Sequence, residues 1–262
     1  MFRVVLAHMG TVSQNGVKRL AMDGAEVLVF PAPAQLFEAA ANEFFRTIHD
    51  CMKRDSVCRM AVAGGSTPKS LYTLIADRVD KGQARGIDWA RVHLFFGDER
   101  CVPPDHPDSN YRMMKQTLLV HGLTAAVHRV QGELPPEEAA ARYEEELREE
   151  FGDGVLKFDL IILGMGPDGH TASLFPGSAA LNDHTRWVAA NYVERLKSWR
   201  ITLTYQVLNS ASEDLFLVSG AEKAEALAQV LKGADLPAAK VKPAGKLLWY
   251  LDAAAASGIA GR

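Results

Sequence analysis

A histidine and an aspartate stand two residues apart in a glycine-rich segment of the chain. The segment runs from Gly164 to Thr171 and follows the apolar run 158–163, which is typical of a buried strand. Because a histidine beside a carboxylate can act as a general base near neutral pH, His170 is the candidate base and Asp168 its partner. A structural loop histidine is the alternative interpretation of the same residues.

The glycines of this segment also fit G-x-G-x-x-G, the spacing of dinucleotide-binding loops. However, the segment lies late in the chain, and the step Pro167-Asp168 is stiff and acidic where a pyrophosphate would approach. A nucleotide site is therefore disfavoured. The glycines are better explained as presenting Asp168 and His170 at the tip of a strand.

A second polar cluster, Gly64 to Pro68, follows the predicted strand 59–63. The two glycines permit a tight turn with close backbone approach. Ser66 or Thr67 can cap the next helix, and the proline suits its first turn. Since a helix start with free N–H groups binds phosphate, this cluster predicts an anion site. An ordinary strand–turn–helix connection without a ligand fits the same residues.

A third cluster, Asp98-Glu99-Arg100, follows the predicted strand 92–96. Adjacent residues of an extended chain point to opposite sides, so Asp98 and Arg100 are expected to face one side and Glu99 the other. In open α/β sheets ligands bind beyond the carboxyl ends of strands, where all three clusters are predicted to lie. Taken alone, this cluster is equally typical of a surface ion pair.

Two cations later in the chain could complete such a site. Arg200 begins a predicted strand, and Lys223 follows a Ser-Gly step near the start of a predicted helix. Both can reach a phosphate at the same edge of the sheet. Each taken alone is more typical of a surface charge.

Signatures of other chemistries are missing from the sequence. It has no G-x-S-x-G elbow and no H-E-x-x-H helix, so covalent serine chemistry and zinc catalysis are disfavoured. The three cysteines, Cys51, Cys58 and Cys101, fit no zinc spacing and are interpreted as reduced thiols of a cytoplasmic protein. We therefore expect neither a metal ion nor a cofactor.

Composition and periodicity favour a folded α/β protein. The chain has 262 residues, 48% hydrophobic and 23% charged, which excludes wholesale disorder, and its net charge of −3 offers no basic surface for nucleic acid. Helical and strand patterns alternate, and several strands are apolar on both faces. The predicted fold is a single domain with a mainly parallel, doubly wound, Rossmann-like three-layer sheet. Strands are predicted at 27–30, 59–63, 92–96, 158–163, 187–193, 200–208, 215–219 and 247–251, and helices at 36–48, 71–79, 111–119, 137–151 and 221–231.

The first residues of the chain differ from the rest. Residues 1–24 lack the apolar stretch of an export signal and are interpreted as an extension or arm that precedes a domain over residues 25–262. No apolar run approaches the ~20 residues of a membrane span. A soluble cytoplasmic protein without membrane or nucleic-acid partners is therefore expected, as a monomer or weak homodimer.

Together these motifs resemble a known family, that of the glucosamine-6-phosphate isomerases and 6-phosphogluconolactonases, and its lactonase branch in particular. The resemblance covers residues 27–252, nearly the whole chain, and the run D-G-H-T-A-S-L-F-P is its most specific part. The matching segments are Gly64-Gly65-Ser66-Thr67-Pro68, Asp98-Glu99-Arg100, Ser109-Asn110-Tyr111, Gly164 to Pro176, Arg200-Ile201-Thr202, Gly220 to Lys223 and Trp249 to Asp252.

The resemblance implies hydrolysis of 6-phospho-D-glucono-1,5-lactone to 6-phospho-D-gluconate, a step of the oxidative pentose phosphate pathway, without metal or cofactor. His170 would activate water, and backbone N–H groups near Gly65 or Gly169 are candidate donors to the oxyanion. The implied catalytic residues are His170, Asp98, Asp168 and Arg100, and the implied substrate- or phosphate-binding residues are Gly64, Gly65, Ser66, Thr67, Arg200, Lys223 and Asn110.

Two alternatives remain at this point. The related deaminases carry a catalytic glutamate shortly after their D-G-H motif, where this chain has Ser173-Leu174-Phe175, and this difference favours the lactonase. A non-catalytic sugar-phosphate sensor would not need the histidine base. The segment 195–199 lacks the prolines that lactonases commonly have before the R-I-T strand, and Lys197 is expected to add a charge beside the phosphate.

Overall fold

The computed structural model describes residues 16–22, 24–120, 122–152 and 156–259. The strands are β1 (Lys18–Met22), β2 (Ala25–Phe30), β3 (Cys58–Val62), β4 (Val92–Phe96), β5 (Asp98–Arg100), β6 (Ala126–His128), β7 (Leu160–Gly164), β8 (Val188–Val193), β9 (Ser198–Leu203), β10 (Glu213–Val218) and β11 (Lys246–Asp252). The α-helices are α1 (Pro33–Lys53), α2 (Ser66–Asp80), α3 (Asn110–Thr117), α4 (Pro136–Phe151), α5 (Tyr205–Leu208) and α6 (Ala224–Leu231). None of these helices is long and apolar enough to cross a membrane.

The larger sheet has the strand order β1-β2-β11-β10-β7-β3-β4-β6. All neighbours in it pair in parallel except β1 and β2. Every residue of β10 is buried, and so are the first four of β7. Because successive side chains of a strand point to opposite faces, both faces of the sheet centre must be covered. The predicted α/β fold with a mainly parallel sheet is thus confirmed.

A smaller antiparallel sheet, of order β5-β9-β8, was not predicted. Its edge strand β5 comprises Asp98–Arg100, so the third polar cluster belongs to a strand. The strand predicted over 200–208 was too long, because β9 ends at Leu203 and Tyr205–Leu208 form the short helix α5. Apolar residues recur in both segments, and over so short a length their pattern does not distinguish a strand from a buried helix.

Part of the predicted N-terminal extension belongs to the sheet. Lys18–Met22 form β1, which pairs antiparallel with β2 in the register Lys18 to Val29. The earlier residues 1–15 lie outside the described residues. The strand was not predicted, and a division of the chain at residue 24 stays a prediction.

Strand β10 begins with two buried carboxylates. Glu213 pairs with Arg46, with 2.7 Å between Oε2 and a guanidinium nitrogen. Asp214 is fully buried, and neither of its carboxylate oxygens has a hydrogen-bond partner among the described residues. Burial, and secondly the charge of Glu213, raises the pKa of Asp214 well above its ordinary 3.8. Folding therefore favours the protonated form of Asp214 relative to the unfolded chain.

We expect Asp214→Asn to stabilise the protein more at pH 8 than at pH 4. An acid whose pKa is raised by folding supports stability below its unfolded pKa, and this support declines as the pH rises. A neutral amide removes that dependence, with an expected gain at pH 8 of about 1–3 kcal/mol, or roughly 2–4 °C in Tm for each kcal/mol. Thermal unfolding of both proteins at the two pH values measures the effect, and exposed Asp77→Asn is the control. An effect of equal size at both pH values would show that ionisation is not its cause.

Candidate active site

One cavity of about 360 Å³ opens beyond the carboxyl ends of the neighbouring strands β10, β7, β3 and β4. Loops that follow parallel strands meet at the same edge of the sheet, which brings the three predicted polar clusters together. The predicted residues that line the cavity are Gly64, Gly65, Ser66, Thr67, Asp98, Arg100, His170, Arg200 and Lys223.

The histidine and the aspartate form a pair at one wall of this cavity. Nδ1 of His170 lies 2.5 Å from Oδ1 of Asp168. Burial acts to raise the pKa of Asp168, but its hydrogen bonds with His170 and the charge of Arg195 hold it at about 2. A carboxylate can only accept, so Nδ1 of the neutral imidazole carries the proton. The other ring nitrogen, Nε2, is then the basic one, and Asp168 lies behind the imidazole without lining the cavity.

The imidazole of His170 is held on two sides. Its ring stacks on Phe175 with 4.0 Å between centroids and an angle of 23°. A Cβ atom at Gly166 would overlap Cε1 and Nδ1 of the ring, so only glycine here leaves the imidazole in its observed position. The backbone also closes the turn, because the N–H of Gly166 donates to the carbonyl of His170 at 2.9 Å. These contacts fix the ring against the loop that follows β7.

Asp98 also lines the cavity and is nearly buried. Its Oδ2 accepts a hydrogen bond from the hydroxyl of Ser173 at 2.6 Å. The side-chain amide of Asn110 donates to the Asp98 carbonyl at 2.8 Å. Asn110 is 1% exposed and does not line the cavity, which corrects its predicted contact with substrate. It positions Asp98 instead.

Glu99 faces away from the cavity, as the alternation of side chains along the strand predicts. Its carboxylate accepts hydrogen bonds from the backbone N–H groups of Asn110 and Tyr111, each at 2.8 Å. It also accepts one from the hydroxyl of Ser109 at 3.1 Å. These bonds attach the first turn of α3 to β5, so Glu99 is a structural residue.

Three cations face the cavity without a carboxylate partner. Among the described residues, neither Arg100, Arg200 nor Lys223 forms an ion pair. Arg200 donates to the hydroxyl of Ser198 at 3.0 Å. Burial, and secondly the neighbouring charge of Arg100, lowers the pKa of Arg200. Two neighbouring guanidinium groups without a carboxylate partner are typical of a site that binds an anion.

The start of α2 adds backbone donors to the same wall. The helix begins at Ser66, with Gly65 as its N-cap at a φ of +99° and no side-chain cap. The prediction that Ser66 or Thr67 caps the helix is therefore wrong, since both lie in its first turn. No partner for the N–H groups of these residues lies within the described part of the chain. Unpaired N–H groups at a helix N-terminus attract an anion.

The segment before β9 contributes a residue that the sequence did not single out. Arg195 lines the cavity, pairs with Oδ2 of Asp168 at 2.8 Å and lies over the ring of Phe175 at 5.0 Å. Lys197, the predicted additional charge, is exposed and does not line the cavity. It adopts a φ of +46° where the 3₁₀ turn Glu194–Leu196 ends. The turn directs Arg195 inward, and no pattern in the sequence indicates that direction.

The fold and the cavity define an α/β protein with a histidine–carboxylate pair beside three cations that have no carboxylate partner among the described residues. Residues 31–249 match the sequence model of the family described as glucosamine-6-phosphate isomerases/6-phosphogluconolactonase. The chain belongs to this family.

Relatives and solved structures agree with this assignment. The 6-phosphogluconolactonase of Nostoc sp. is 38% identical over 239 residues, which are 87% of this chain and 96% of the relative. The enzyme of that name from Rattus norvegicus is 37% identical, over 88% of this chain and 92% of its own. The 6-phosphogluconolactonase structure from Thermotoga maritima has a TM-score of 0.74 at 31% identity, covering 86% and 98% of the two chains. A monomeric glucosamine-6-phosphate deaminase, at 21% identity and a TM-score of 0.74 over 88% and 99% of the chains, shares the fold.

Proposed function

We propose that the protein hydrolyses 6-phospho-D-glucono-1,5-lactone to 6-phospho-D-gluconate, in the oxidative pentose phosphate pathway. The observation that carries this proposal is the joint placement of a general base and an anion-binding wall in one cavity. His170, with Asp168 behind it, faces the same space as Arg200 and Lys223. Hydrolysis of a phosphorylated lactone needs a base that activates water and cations that bind the phosphate.

The first step of the proposed mechanism is attack by water on the lactone carbonyl. Nε2 of His170 takes a proton from the water as its oxygen bonds to the carbonyl carbon. The carboxylate of Asp168 stabilises the imidazolium that forms, because it lies 2.5 Å from Nδ1. The imidazolium then returns the proton to the ring oxygen as the bond between that oxygen and the carbonyl carbon breaks. These steps call for no metal ion and no cofactor.

The tetrahedral intermediate carries an oxyanion that needs positioned donors. Of the two backbone candidates, the N–H of Gly169 already donates to the carbonyl of Gly166 at 3.0 Å and is not available. The N–H of Gly65 has no partner within the described residues, and Gly65 lines the cavity. We assign Gly65 as the oxyanion donor, with the charge of Arg100 nearby. Asp98 is assigned to the sugar hydroxyls.

The loop after the histidine argues against a deaminase. Ser173 donates to Asp98, and Phe175 stacks on His170, so both side chains have other roles where the deaminases carry their catalytic glutamate. A direct test incubates the wild-type protein with the phosphorylated lactone and, separately, with glucosamine 6-phosphate. We expect accelerated lactone opening and no release of ammonia. Ammonia release without lactone opening would overturn the proposal.

The phosphate of the substrate is assigned to Arg200, Lys223 and the first turn of α2. We expect Arg200→Gln and Lys223→Gln each to lower kcat/KM by roughly 10- to 100-fold, mainly through KM, because a hydrogen bond to a charged group contributes about 1.5–3 kcal/mol. Steady-state kinetics with the phosphorylated lactone measures this effect. Lys197→Gln, which removes an exposed charge outside the cavity, is the matched control.

The unphosphorylated lactone separates phosphate binding from other causes. If Arg200 and Lys223 bind the phosphate, their replacement changes the kinetics with glucono-1,5-lactone little. An equal loss with both lactones would contradict the assignment.

We also propose that the protein is located in the cytoplasm and is active as a monomer or weak homodimer. Cys51 and Cys58 are buried free thiols, and Cys101 is a partly buried one. Free thiols are typical of reducing compartments, which supports a cytoplasmic location.

A further inference from the structure

A cluster of imidazole and carboxylate groups lies between β4, the edge strand β6 and helix α4, and none of its residues lines the cavity. It joins His93, the second residue of β4, to His128 at the end of β6 and to Glu150 in the last turns of α4. One nitrogen of each histidine and one oxygen of Glu150 lie within 4.8 Å of one another. The proposed lactone mechanism uses none of these residues.

The distances in this cluster are close to those of a coordination sphere. Nδ1 of His93 lies 3.0 Å from Nε2 of His128 and 3.1 Å from Oε1 of Glu150. Zinc bonds of about 2.0–2.2 Å in tetrahedral directions place neighbouring donor atoms roughly 3.3 Å apart. Those two distances thus need to lengthen by only a few tenths of an ångström, and the third pair of donors, on His128 and Glu150, lies within 4.8 Å.

A second carboxylate already orients one of the imidazoles. Nδ1 of His128 lies 2.8 Å from Oε1 of Glu146, one turn before Glu150 on α4. The ring of His128 also stacks on Phe95 with 4.1 Å between centroids. In metal sites a histidine ligand generally has such a carboxylate on its other nitrogen, which fixes the tautomer and the ring orientation. Here that arrangement leaves Nε2 of His128 directed at His93.

The electrostatics of the cluster allow a cation. The charged groups that face it are Glu146, Glu150 and the guanidinium of Arg59, whose Nε donates to Oε1 of Glu150 at 2.9 Å. Two carboxylates against one guanidinium leave a net negative charge.

We propose that His93, His128 and Glu150 form a site for Zn²⁺ or a similar transition-metal ion, with Glu146 orienting His128. Two imidazoles and one carboxylate are a donor set that zinc uses with a fourth position open to water. The side chains are 16–19% exposed, so an ion can reach them. A bound ion would attach the edge strand β6 and helix α4 to β4. The site is independent of the lactone-hydrolysing cavity.

The test titrates Zn²⁺ into chelator-treated wild-type protein by calorimetry, and Co²⁺ by visible absorption. We expect one ion per chain, a raised Tm with Zn²⁺ and Co²⁺ bands of a four- or five-coordinate site. His128→Gln and Glu150→Gln should each weaken Zn²⁺ binding by at least about 10-fold, and Glu146→Gln by about 10-fold. Lactone hydrolysis should be unchanged in all three variants. Exposed His49→Gln is the control for surface histidines.

The Glu150 variant protects the test against a loss of folding. Because His128 packs on Phe95, its replacement could unfold the edge of the sheet, whereas Glu150→Gln keeps the shape of a partly exposed side chain. Folded Glu150→Gln and His128→Gln proteins that bind Zn²⁺ as tightly as wild type would overturn the proposal, as would wild-type protein that binds none. Loss of binding in Cys58→Ser instead would place the ion at the separate cluster of Cys51, Cys58 and Asp159.

Discussion

Replacing His170 with alanine is expected to lower kcat for lactone opening by at least about 100-fold. The replacement removes the nitrogen that takes the proton from water, and general-base catalysis contributes about 10²- to 10⁴-fold. The cations and the start of α2 remain in place, so binding of the phosphorylated product should change little. Steady-state kinetics with the lactone generated in situ measures the first effect, and a titration with 6-phosphogluconate measures the second.

His49→Ala is the matched control for this prediction, because His49 is an exposed histidine on α1 that does not line the cavity. Its kinetics should equal those of the wild type. If His170→Ala kept a kcat near the wild-type value, His170 would not be the base. If the variant lost product binding together with activity, the histidine would act in binding and not in proton transfer.

The second large loss of activity is expected when a single methyl group is added at Gly166. Gly166→Ala places a Cβ atom where Cε1 and Nδ1 of His170 now lie, so the imidazole must leave its position between Phe175 and the loop. A displacement of about 1 Å at a reacting group can cost roughly 100-fold. We therefore expect kcat to fall by about 10- to 100-fold in a folded protein, with little change in the binding of 6-phosphogluconate.

Gly97→Ala is the control for this second variant. Gly97 also follows the carboxyl end of a strand, but a Cβ atom there would meet only the carbonyl of Val62, at an ordinary 3.6 Å. It should retain both stability and activity. Wild-type kcat in a folded Gly166→Ala protein would show that the position of the imidazole does not limit the reaction.

The sequence predicted the components of the cavity because strand ends are local features. Apolar runs of about five residues locate the strands, and polar clusters directly after them must lie at the carboxyl edge of a parallel sheet. His170 and Asp98 follow two such strands and line one cavity, and alternation along β5 separates Glu99 from Arg100. Periodicity alone would have suggested an α/β protein with a phosphate site, and the motif resemblance supplied the reaction.

What the sequence could not predict depends on contacts between distant segments. Asn110 has the residue type of a substrate ligand, yet packing of α3 against β5 turns its amide to Asp98. Arg195 reaches Asp168 only because a 3₁₀ turn precedes β9, and neither charge spacing nor polarity reveals such a turn. The N-cap of α2 was predicted one or two residues too late, at Ser66 or Thr67, because Gly65, with a φ of +99°, already ends the turn.

Lactone opening by the wild-type protein and by His170→Ala decides whether the cavity is a lactonase site with His170 as its base. The phosphorylated lactone is generated in situ by a dehydrogenase, spontaneous opening is subtracted, and wild-type protein is compared with His170→Ala in the same assay. We predict fast opening by the wild type that falls to near the spontaneous rate in the variant. A wild-type rate no higher than spontaneous opening would contradict the account.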